Sequence, residues 1–462
     1  MTRALLDRDA ALAGGLAAIR AEFTVPASFP RDVLAAAEVA ARRTPDAHRD
    51  RTAMPFVTLD PATATDLDQA FAIEASGGDL LLHYAIADIG WFVADGDTVD
   101  HEAWTRGETL YLPDGKAGLY PPVLAEGAAS LLPDGPRPAI VLTTRIAPDG
   151  SGRIEGVERA VIRSRAKLAY DAVTATDLPA GFADIARRIR AAEAARGATR
   201  VDPPDQEVTR GADGRLMLAF RPLLESERDN AALSLATNMA VADLLHANAT
   251  GLFRVMEAPD AGAVARLRRE AAALGLTWPE AMPLAAFERT LAAHDVAQAT
   301  MMLAIRRAGG GARYEAYRAD VAPWHAAVAA RYAHATAPLR RLADRYVLTA
   351  ALAVANGRPV PAATTEAFAR LPKVMATADA RAGRIDRAVV DLAEAVMLQN
   401  REGDSFAAVA TDIDDRGVRI QLCDLPILAR VDTTGIAPGD PLTVRLTAAD
   451  PATRQISFAV KG

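Results

Sequence analysis

The sequence predicts an α+β protein in which short strands come first, long helices follow, and a small β-barrel ends the chain. Residues 55–165 alternate strand-like runs with turns that are rich in proline and glycine. From about residue 180 the periodicity is helical and alanine-rich, apart from a strand pair near 206–220. About five β-like runs then fill residues 401–462, which is typical of an OB-type barrel. Strands followed by helices, without regular alternation, indicate the α+β class.

The first fifty residues are expected to form two helices. Apolar residues recur at helical spacing over 4–22, and Ser28 can cap a second helix that runs from Pro30 to Arg43. Such a pair is compatible with a helix-turn-helix that contacts nucleic acid, although it is more often a packing element. Three domains are therefore expected: a small helical one over 1–50, a large one over 51–400 and the barrel over 401–462.

Local patterns place the strands and helices of the large domain. Strands are expected in five β-like runs: MPFVTL, DQAFAIE, LLLHYAI, AIVLTTRI and GVERAVIRS. Helices are expected in seven stretches: 226–250, 260–275, 285–308, 321–333, 338–356, 363–380 and 384–400. With 462 residues, half of them apolar, the chain is long enough for two to four globular domains.

The charge distribution narrows the classes of function. A formal net charge of -7 argues against a general nucleic-acid coat protein. It does not exclude a nuclease, because acids can cluster around metal ions while basic residues line a channel. The stretch 301–345 fits such a channel, since it holds eight arginines against three acidic residues.

The cysteine content and the hydropathy of the sequence indicate its cellular compartment. The single cysteine, Cys423, excludes an internal disulfide and fits a reducing cytosol. The sequence contains no apolar run of membrane-spanning length and no export signal near its start. We therefore expect a cytoplasmic protein that does not associate with membranes.

An acidic segment from Thr58 to Phe71, TLDPATATDLDQAF, predicts a metal site. If it is extended, Asp66 and Asp68 leave the same face, and the preceding turn can fold Asp60 over them. Carboxylates held close together raise each other's pKa, and a divalent cation removes that cost. Oxygen ligands favour Mg²⁺ or Mn²⁺. From the spacing alone, an ordinary acidic turn before a strand remains the alternative.

Four separated blocks carry a family resemblance. TLDPATATDLDQAF with LHYAIADIGWFV resembles the signature of the RNB catalytic domain of ribonuclease II and ribonuclease R exoribonucleases. The blocks VIRSRAKLAYDAV, LFRVMEAPD and RYAHATAPLRRLADR follow in the family's order. The resemblance spans about residues 28–462 and implies a mixed-sheet and helical RNB domain with a terminal OB-type RNA-binding barrel. Family members usually begin with cold-shock-like barrels, which the helical first fifty residues cannot supply.

The resemblance also implies an activity and a metal. The family hydrolyses single-stranded RNA processively from the 3′ end to nucleoside 5′-monophosphates, in RNA decay and processing. By position, Asp60, Asp66 and Gln69 would hold one Mg²⁺, with Mn²⁺ as a substitute, and Asp68 would hold or position a second ion. Gln69 replaces the fourth aspartate of the family cluster, so we expect weaker metal binding, which an aspartate at this position would restore. A catalytically impaired RNA-binding relative is the alternative.

The segment ATAPLRRLADR suits phosphate binding. Pro338 favours a helix start, and a guanidinium at a helix start grips phosphate through two N–H groups. Arg340 matches the family's catalytic arginine, and Arg341 beside it is expected to contact RNA. Pairing among Arg341, Asp344 and Arg345 on a surface helix is the alternative, and for Arg345 it is the preferred one.

Aromatic side chains matching family positions suggest how the last nucleotides are held. Tyr111 matches the aromatic that stacks on bases, and Tyr170, also expected to be catalytic, would pack against the terminal nucleotide. The best match for a companion aromatic is Val208. Arg384 is expected to contact RNA from one face of a helix. The equal alternative is that this face is solvated and binds no RNA.

The partners follow from the same resemblance. We expect single-stranded RNA as the substrate, and a monomer without an obligatory protein partner. A phosphoesterase for small substrates would also fit the aspartates, but it would not explain a terminal barrel.

Overall fold

The structure, a computed structural model, describes residues 2–4, 11–198, 205–210, 216–221, 223–292, 295–414 and 417–461. Its strands are β1 Thr2–Ala4, β2 Arg49–Asp50, β3 Phe56–Asp60, β4 Gln69–Ser76, β5 Asp79–Ala87, β6 Leu110–Leu112, β7 Gly115–Ala117, β8 Arg137–Ile146, β9 Gly152–Ile162, β10 Ser164–Ala169, β11 Asp205–Arg210, β12 Leu216–Arg221, β13 Leu252–Val255, β14 Arg313–Ala316, β15 Ser405–Asp414, β16 Gly417–Leu422, β17 Leu428–Val431, β18 Pro441–Asp450 and β19 Gln455–Val460.

The helices lie mainly after the strands of the large domain. They are α1 Ala11–Glu22, α2 Arg31–Ala40, α3 Ile89–Phe92, α4 Thr98–Arg106, α5 Phe182–Ala195, α6 Glu225–Ala247, α7 Ala261–Ala273, α8 Leu284–Glu288, α9 Val296–Ala308, α10 Leu342–Ala355 and α11 Ala362–Leu398, with a short π-helix at Leu124–Ala128. The predicted α+β class is confirmed. None of the described helices is both long and apolar enough to cross a lipid bilayer.

A seven-stranded mixed sheet forms the centre of the large domain, in the order β10-β3-β4-β5-β8-β9-β2. Neighbours from β3 to β9 are antiparallel, whereas β10 and β2 pair in parallel at the two edges. Buried side chains such as Phe56, Phe71 and Tyr84 hold the strands in the main core. Helices α5, α6 and α10 pack against β8 or β9. The sheet therefore gives the β3 and β4 ends a rigid support.

The two N-terminal helices join different cores. In α1, Leu12, Leu16 and Ile19 pack in a cluster with residues of α11, whereas α2 buries Val33 and Ala37 in the main core. The predicted helix over 4–22 is seen from residue 11, while residue 4 lies in β1 and residues 5–10 lie outside the described chain. The helices therefore serve as packing elements of the larger body and do not share a core of their own.

Several helix predictions need correction. The helix expected over 285–308 is two helices, α8 and α9, because residues 289–292 are not helical. Residues 321–333 are not helical, because their backbone groups pair elsewhere: the Met256 N–H donates to the Trp324 carbonyl, and the Ala326 N–H donates to the Met256 carbonyl. The helix predicted from residue 338 begins only at Leu342. The two helices expected after residue 363 are a single helix, α11, because Gly383 does not interrupt it.

The C-terminal sheet confirms the OB-type prediction. Its five strands follow the order β17-β16-β15-β18-β19, all antiparallel, and β17 also contacts β19, which nearly closes the barrel. The core of the barrel includes Ile420, Val444 and Leu446 at alternate strand positions. Leu398, the last residue of α11, is buried in the same core, so the barrel is anchored to the long helix.

Candidate active site

The aspartates lie where two neighbouring strands meet at one end of the sheet. Asp60 is the last residue of β3, and Asp68 directly precedes β4. Between them the chain turns, with the Ala64 N–H donating to the Pro61 carbonyl at 2.9 Å. The Lys167 ammonium donates to the carbonyls of Ala62 and Ala64, at 2.8 and 2.5 Å, and fixes this turn. The predicted bend that brings Asp60 back towards the later aspartates is therefore present.

Asp68 is buried and faces the segment that carries Arg340. Its Oδ1 accepts a hydrogen bond of 2.7 Å from the Leu339 main-chain N–H, and its Oδ2 lies 3.5 Å from Arg340 Nε. Burial raises the pKa of the Asp68 carboxyl to about 8, although Arg340 and the Leu339 N–H oppose the rise. A buried carboxylate with so little compensation is suited to a cation.

Asp60 leaves one oxygen without a partner. Its Oδ2 is buried and has no hydrogen-bond partner among the described residues. Burial raises the pKa of the Asp60 carboxyl to about 6; Asp66 adds to the rise, while Arg340 and Lys167 oppose it. A buried polar atom without a partner is costly, and a hard cation would relieve that cost.

Asp66 has different neighbours from Asp68. Its Oδ1 lies 2.7 Å from the Lys116 ammonium, and its Oδ2 accepts a 3.1 Å hydrogen bond from the Tyr111 hydroxyl. Lys116 also lies 3.2 Å from Glu126. The expectation that Asp66 and Asp68 leave the same face of a strand does not hold, because β4 begins only at Gln69. The β6–β7 hairpin, with Tyr111 and Lys116, therefore covers the Asp66 end of the site.

Gln69 is engaged at both ends of its amide. Its Nε2 donates to the Thr336 carbonyl at 2.7 Å, and its Oε1 accepts a hydrogen bond from the Tyr84 hydroxyl. These contacts tie β4 and β5 to the segment that precedes Arg340. They leave the predicted metal-ligand role of Gln69 without geometric support and give this side chain a positioning role.

The predicted arginines separate into two roles. Arg340 precedes α10, and its side chain is 46% exposed, so its guanidinium can reach a ligand. Arg341 points to the buried Asp344 instead, with two hydrogen bonds of 3.0 and 2.8 Å. The buried Arg345 pairs with Asp100. The Arg341–Asp344 pair of the alternative is therefore present, but Arg345 pairs outside α10, and the buried Asp344 and Arg345 do not lie on a surface face.

The tyrosines flank the aspartates from two sides. Tyr170 continues from β10; its hydroxyl accepts a 2.9 Å hydrogen bond from Asn230, and its main-chain N–H donates to the Asp60 carbonyl at 3.3 Å. Burial and the Asp60 charge raise the pKa of Tyr170 to about 12. Tyr111 is 50% exposed, which leaves much of its ring free for stacking. Burial, together with Asp66, raises its pKa.

A cavity of about 1360 Å³ extends from Tyr111 towards the terminal barrel. Val208 lines the same cavity, so the position matched to a companion aromatic does lie near Tyr111, without a ring. Of the arginines of α11, Arg387 lines the cavity. Arg384 is not among the lining residues and lies over the Phe23 ring, 5.7 Å from its centroid.

The donor set fits a hard cation that completes its coordination with water. Among the residues that the structure describes, no three acidic, histidine or cysteine side chains converge into a ready-formed metal site. The available atoms are nevertheless carboxylate oxygens, and Asp60 Oδ2 has no protein partner in the described chain. Mg²⁺ keeps several waters and commonly uses only one or two carboxylates. The two carboxylates of Asp60 and Asp68 are therefore sufficient for Mg²⁺, which does not need a closed cage of protein ligands.

Sequence reasoning missed Lys116 and Glu126. Lys116 is one of only four lysines in a chain that has 52 lysines and arginines together. That rarity was a usable signal, but its contact with Asp66 spans 50 positions and cannot be read from local patterns.

The aspartates and Arg340 at one end of the central sheet, together with a terminal five-stranded barrel, are the arrangement expected of an RNB-fold protein. The RNB domain matches residues 48–354, and the RNase II-type exonuclease C-terminal S1 domain matches residues 404–461. The first match alone covers more than half of the chain, so this chain belongs to the RNB family. The resemblance seen in the motifs is confirmed.

Two relatives from other organisms are similar to this chain over different lengths. Ribonuclease R of Aquifex aeolicus strain VF5 is 25% identical over 436 residues, which cover 87% of this chain and 60% of the relative. Exoribonuclease 2 of Klebsiella pneumoniae strain 342 is 39% identical over 129 residues, 27% of this chain and 20% of the relative. This chain therefore spans less than two thirds of the length of either relative.

Solved structures show the same fold. Mycoplasma genitalium RNase R in complex with ribose methylated single-stranded RNA aligns with a TM-score of 0.84 at 18% identity. The alignment covers 98% of this chain and 78% of that protein.

Proposed function

We propose that this chain is a metal-dependent exoribonuclease that removes nucleoside 5′-monophosphates processively from the 3′ end of single-stranded RNA. The convergence of Asp60 and Asp68 at the ends of β3 and β4, beside the exposed Arg340, carries the proposal. Membership of the RNB family supports it. The proposed setting is RNA decay and processing in the cytoplasm, by a monomer.

The residues of the site would have separate roles in hydrolysis. Asp60 and Asp68 would hold Mg²⁺, or Mn²⁺ in its place, which when bound activates water and stabilises charge on the leaving oxygen. Arg340 would pair with the scissile phosphate, because its guanidinium is exposed beside Asp68. Tyr170 would pack against the terminal nucleotide from the β10 side.

The cavity would guide the strand. Tyr111 lies at its active-site end, and the barrel strands β16 and β17 supply other lining residues. Bases stack on aromatic rings whatever their sequence, so Tyr111 would hold any terminal base. A related RNase R is described in complex with single-stranded RNA, which supports the same substrate class here.

Gln69 favours one alternative, a relative that binds RNA without degrading it. The amide removes one negative charge, and its oxygen is engaged by Tyr84. Such a protein would retain the cavity and Arg340 while turnover would be lost.

Digestion of a uniformly labelled single-stranded RNA with Mg²⁺ tests the proposal. We expect mononucleotides with few intermediates, no products with EDTA, and a loss of turnover of at least about 100-fold in Asp68→Asn with RNA binding retained. The exposed turn residue Asp149, changed to Asn, is the matched control. RNA binding in a gel shift without any mononucleotide release would favour the non-degrading alternative.

A further inference from the structure

Lys116 lies between two carboxylates at the Asp66 end of the site. Its ammonium is 2.7 Å from Asp66 Oδ1 and 3.2 Å from Glu126 Oε1. The Lys116 side chain is 25% exposed and that of Asp66 only 11%, so the pair is shielded more than an ordinary surface ion pair. Bridging two carboxylate oxygens is the arrangement that a small cation adopts.

We infer that Lys116 takes the place of a second divalent cation, so that the working site contains one divalent ion and one lysine ammonium. This inference rests on the proposed function, since it concerns the metal requirement of the same reaction. It replaces the expectation of two metal ions.

The occupancy of Asp66 is the first argument. Both of its oxygens already have partners, Lys116 on Oδ1 and the Tyr111 hydroxyl on Oδ2. Asp60 Oδ2, by contrast, has no partner in the described chain, and Asp68 Oδ2 has only Arg340 at 3.5 Å. The atoms open to a divalent cation are therefore at the Asp60–Asp68 end.

Hydrogen bonds from other elements fix the β6–β7 hairpin and therefore the position of Lys116. Arg20 of α1 forms two hydrogen bonds with Asp114 at the hairpin turn, at 2.9 and 2.8 Å, and a third with the Gly115 carbonyl. On the other side, Thr65 donates to Glu126 at 2.8 Å and orients that carboxylate. The ammonium thus has fixed partners on both sides.

Charge balance is the second argument. Apart from the Arg341–Asp344 pair, which is neutral overall, four carboxylates and three side-chain cations interact here: Asp60, Asp66, Asp68, Glu126, Lys116, Lys167 and Arg340. With every group ionised they leave one net negative charge. One divalent ion and one RNA phosphate bring the site to neutrality, whereas a second divalent ion would leave two positive charges without compensation. Uncompensated charge in a shielded site is unfavourable.

Gln69 is consistent with this count. A carboxylate in its place would add one negative charge to this count, and the neutral amide adds none. The amide is bound to Thr336 and Tyr84. The neutral Gln69 and the positively charged Lys116 both reduce the negative charge that a second divalent ion would compensate.

Equilibrium binding of Mn²⁺, followed by the EPR signal of the free ion, tests the inference on the full chain. We expect one site-bound Mn²⁺ in the wild type and two in Lys116→Met, because the Asp66–Glu126 pair then lacks a cation. Lys116→Arg should restore a stoichiometry of one. Lys373→Met is the matched control, since Lys373 is an exposed lysine of α11 and should leave the stoichiometry unchanged.

The outcomes separate the inference from the proposed function. A wild type that degrades RNA and binds two ions would show that Lys116 moves aside, which overturns the inference and leaves the proposed function intact. An unchanged single ion in Lys116→Met would overturn it as well. A wild type that releases no mononucleotides with any divalent ion would overturn the proposed function and, with it, the inference.

Discussion

The Gln69 amide nitrogen donates a hydrogen bond of 2.7 Å to the main-chain carbonyl of Thr336, 267 positions later in the chain. The preceding residue, Asp68, adds a second link, since it accepts from the N–H of Leu339, three positions after Thr336. Two hydrogen bonds therefore join the aspartate segment to the segment that presents Arg340. The separation between Asp68 and Arg340 depends on both.

The first prediction concerns this junction and reverses the expectation that an acid at position 69 improves metal binding. Gln69→Glu keeps the length of the side chain but places a carboxylate oxygen against the Thr336 carbonyl. An unsatisfied buried acceptor costs about 1–3 kcal/mol, so we expect lower stability and turnover without tighter Mg²⁺ dependence. Urea denaturation and a Mg²⁺ titration of activity measure the two effects.

Gln69→Asp should behave in the same direction, because aspartate is shorter and has no donor for Thr336. Tyr84→Phe is the companion variant, since it frees the Gln69 oxygen while keeping the amide donor. If Gln69→Asp lowered the Mg²⁺ concentration needed for half-maximal activity, Gln69 would lie at the metal and not at the junction.

Local patterns predicted the strands around Asp60 and the barrel because alternation and turn residues report short-range structure. The same patterns placed the long helix α6 and the helical residues of α11, although they divided α11 into two helices. They failed at residues 321–333, where an alanine-rich stretch with good helix propensity pairs with Met256 instead. Tertiary hydrogen bonds outweighed propensity there.

The candidate site was predictable only in part, for a similar reason. The motif positions of Asp60, Asp68 and Arg340 identified groups that the fold does bring together. The partners of Gln69 and Asp66 come from distant segments, so neither the positioning role of Gln69 nor the lysine at Asp66 could be derived from spacing. Arg341 was assigned to RNA, yet its spacing of three from Asp344 already permitted an ion pair within the first helical turn.

The second prediction separates Arg340 from its neighbour. Arg340→Ala should reduce turnover strongly and leave stability near the wild-type value, because its exposed guanidinium is available to phosphate. Arg341→Ala should destabilise the fold by about 3–5 kcal/mol, since it removes the ion-pair partner of the buried Asp344 carboxylate. Thermal denaturation and single-turnover hydrolysis distinguish the two. Equal losses of stability in both variants would remove the assignment of Arg340 to the substrate.

The third prediction concerns Tyr111 and is measured in an Asp68→Asn background, so that the RNA is not consumed. Tyr111→Ala should weaken binding of a short single-stranded RNA by about 1–3 kcal/mol, the value of one stacked base. Tyr111→Phe keeps the ring and removes only the hydrogen bond to Asp66, so it should bind nearly as tightly as Tyr111 itself. Similar losses in both variants would indicate that the hydroxyl matters and that stacking does not.

The last prediction concerns pH and Glu394, a buried residue of α11 that holds the barrel. Its Oε1 accepts hydrogen bonds from Gln206 of β11, at 2.5 Å, and from the Leu428 N–H of β17, at 3.0 Å. Burial raises the pKa of the Glu394 carboxyl to about 8. The folded chain therefore favours the neutral acid, whose contribution to stability is complete at acidic pH and is lost as pH rises from the unfolded pKa of about 4.5 towards 8.

Glu394→Gln removes this titration while it keeps an oxygen acceptor for Leu428. Relative to the variant, the wild type should become less stable as pH rises from about 5 to about 8. Its melting temperature should fall, and its free energy of unfolding should decrease by an amount on the order of a few kcal/mol. Glu257→Gln is the control, because Glu257 is exposed and pairs only at the surface. A constant difference in melting temperature between wild type and Glu394→Gln over this range would mean that Glu394 is already ionised in the fold. In that case its two hydrogen bonds, and not its protonation, would link α11 to the barrel.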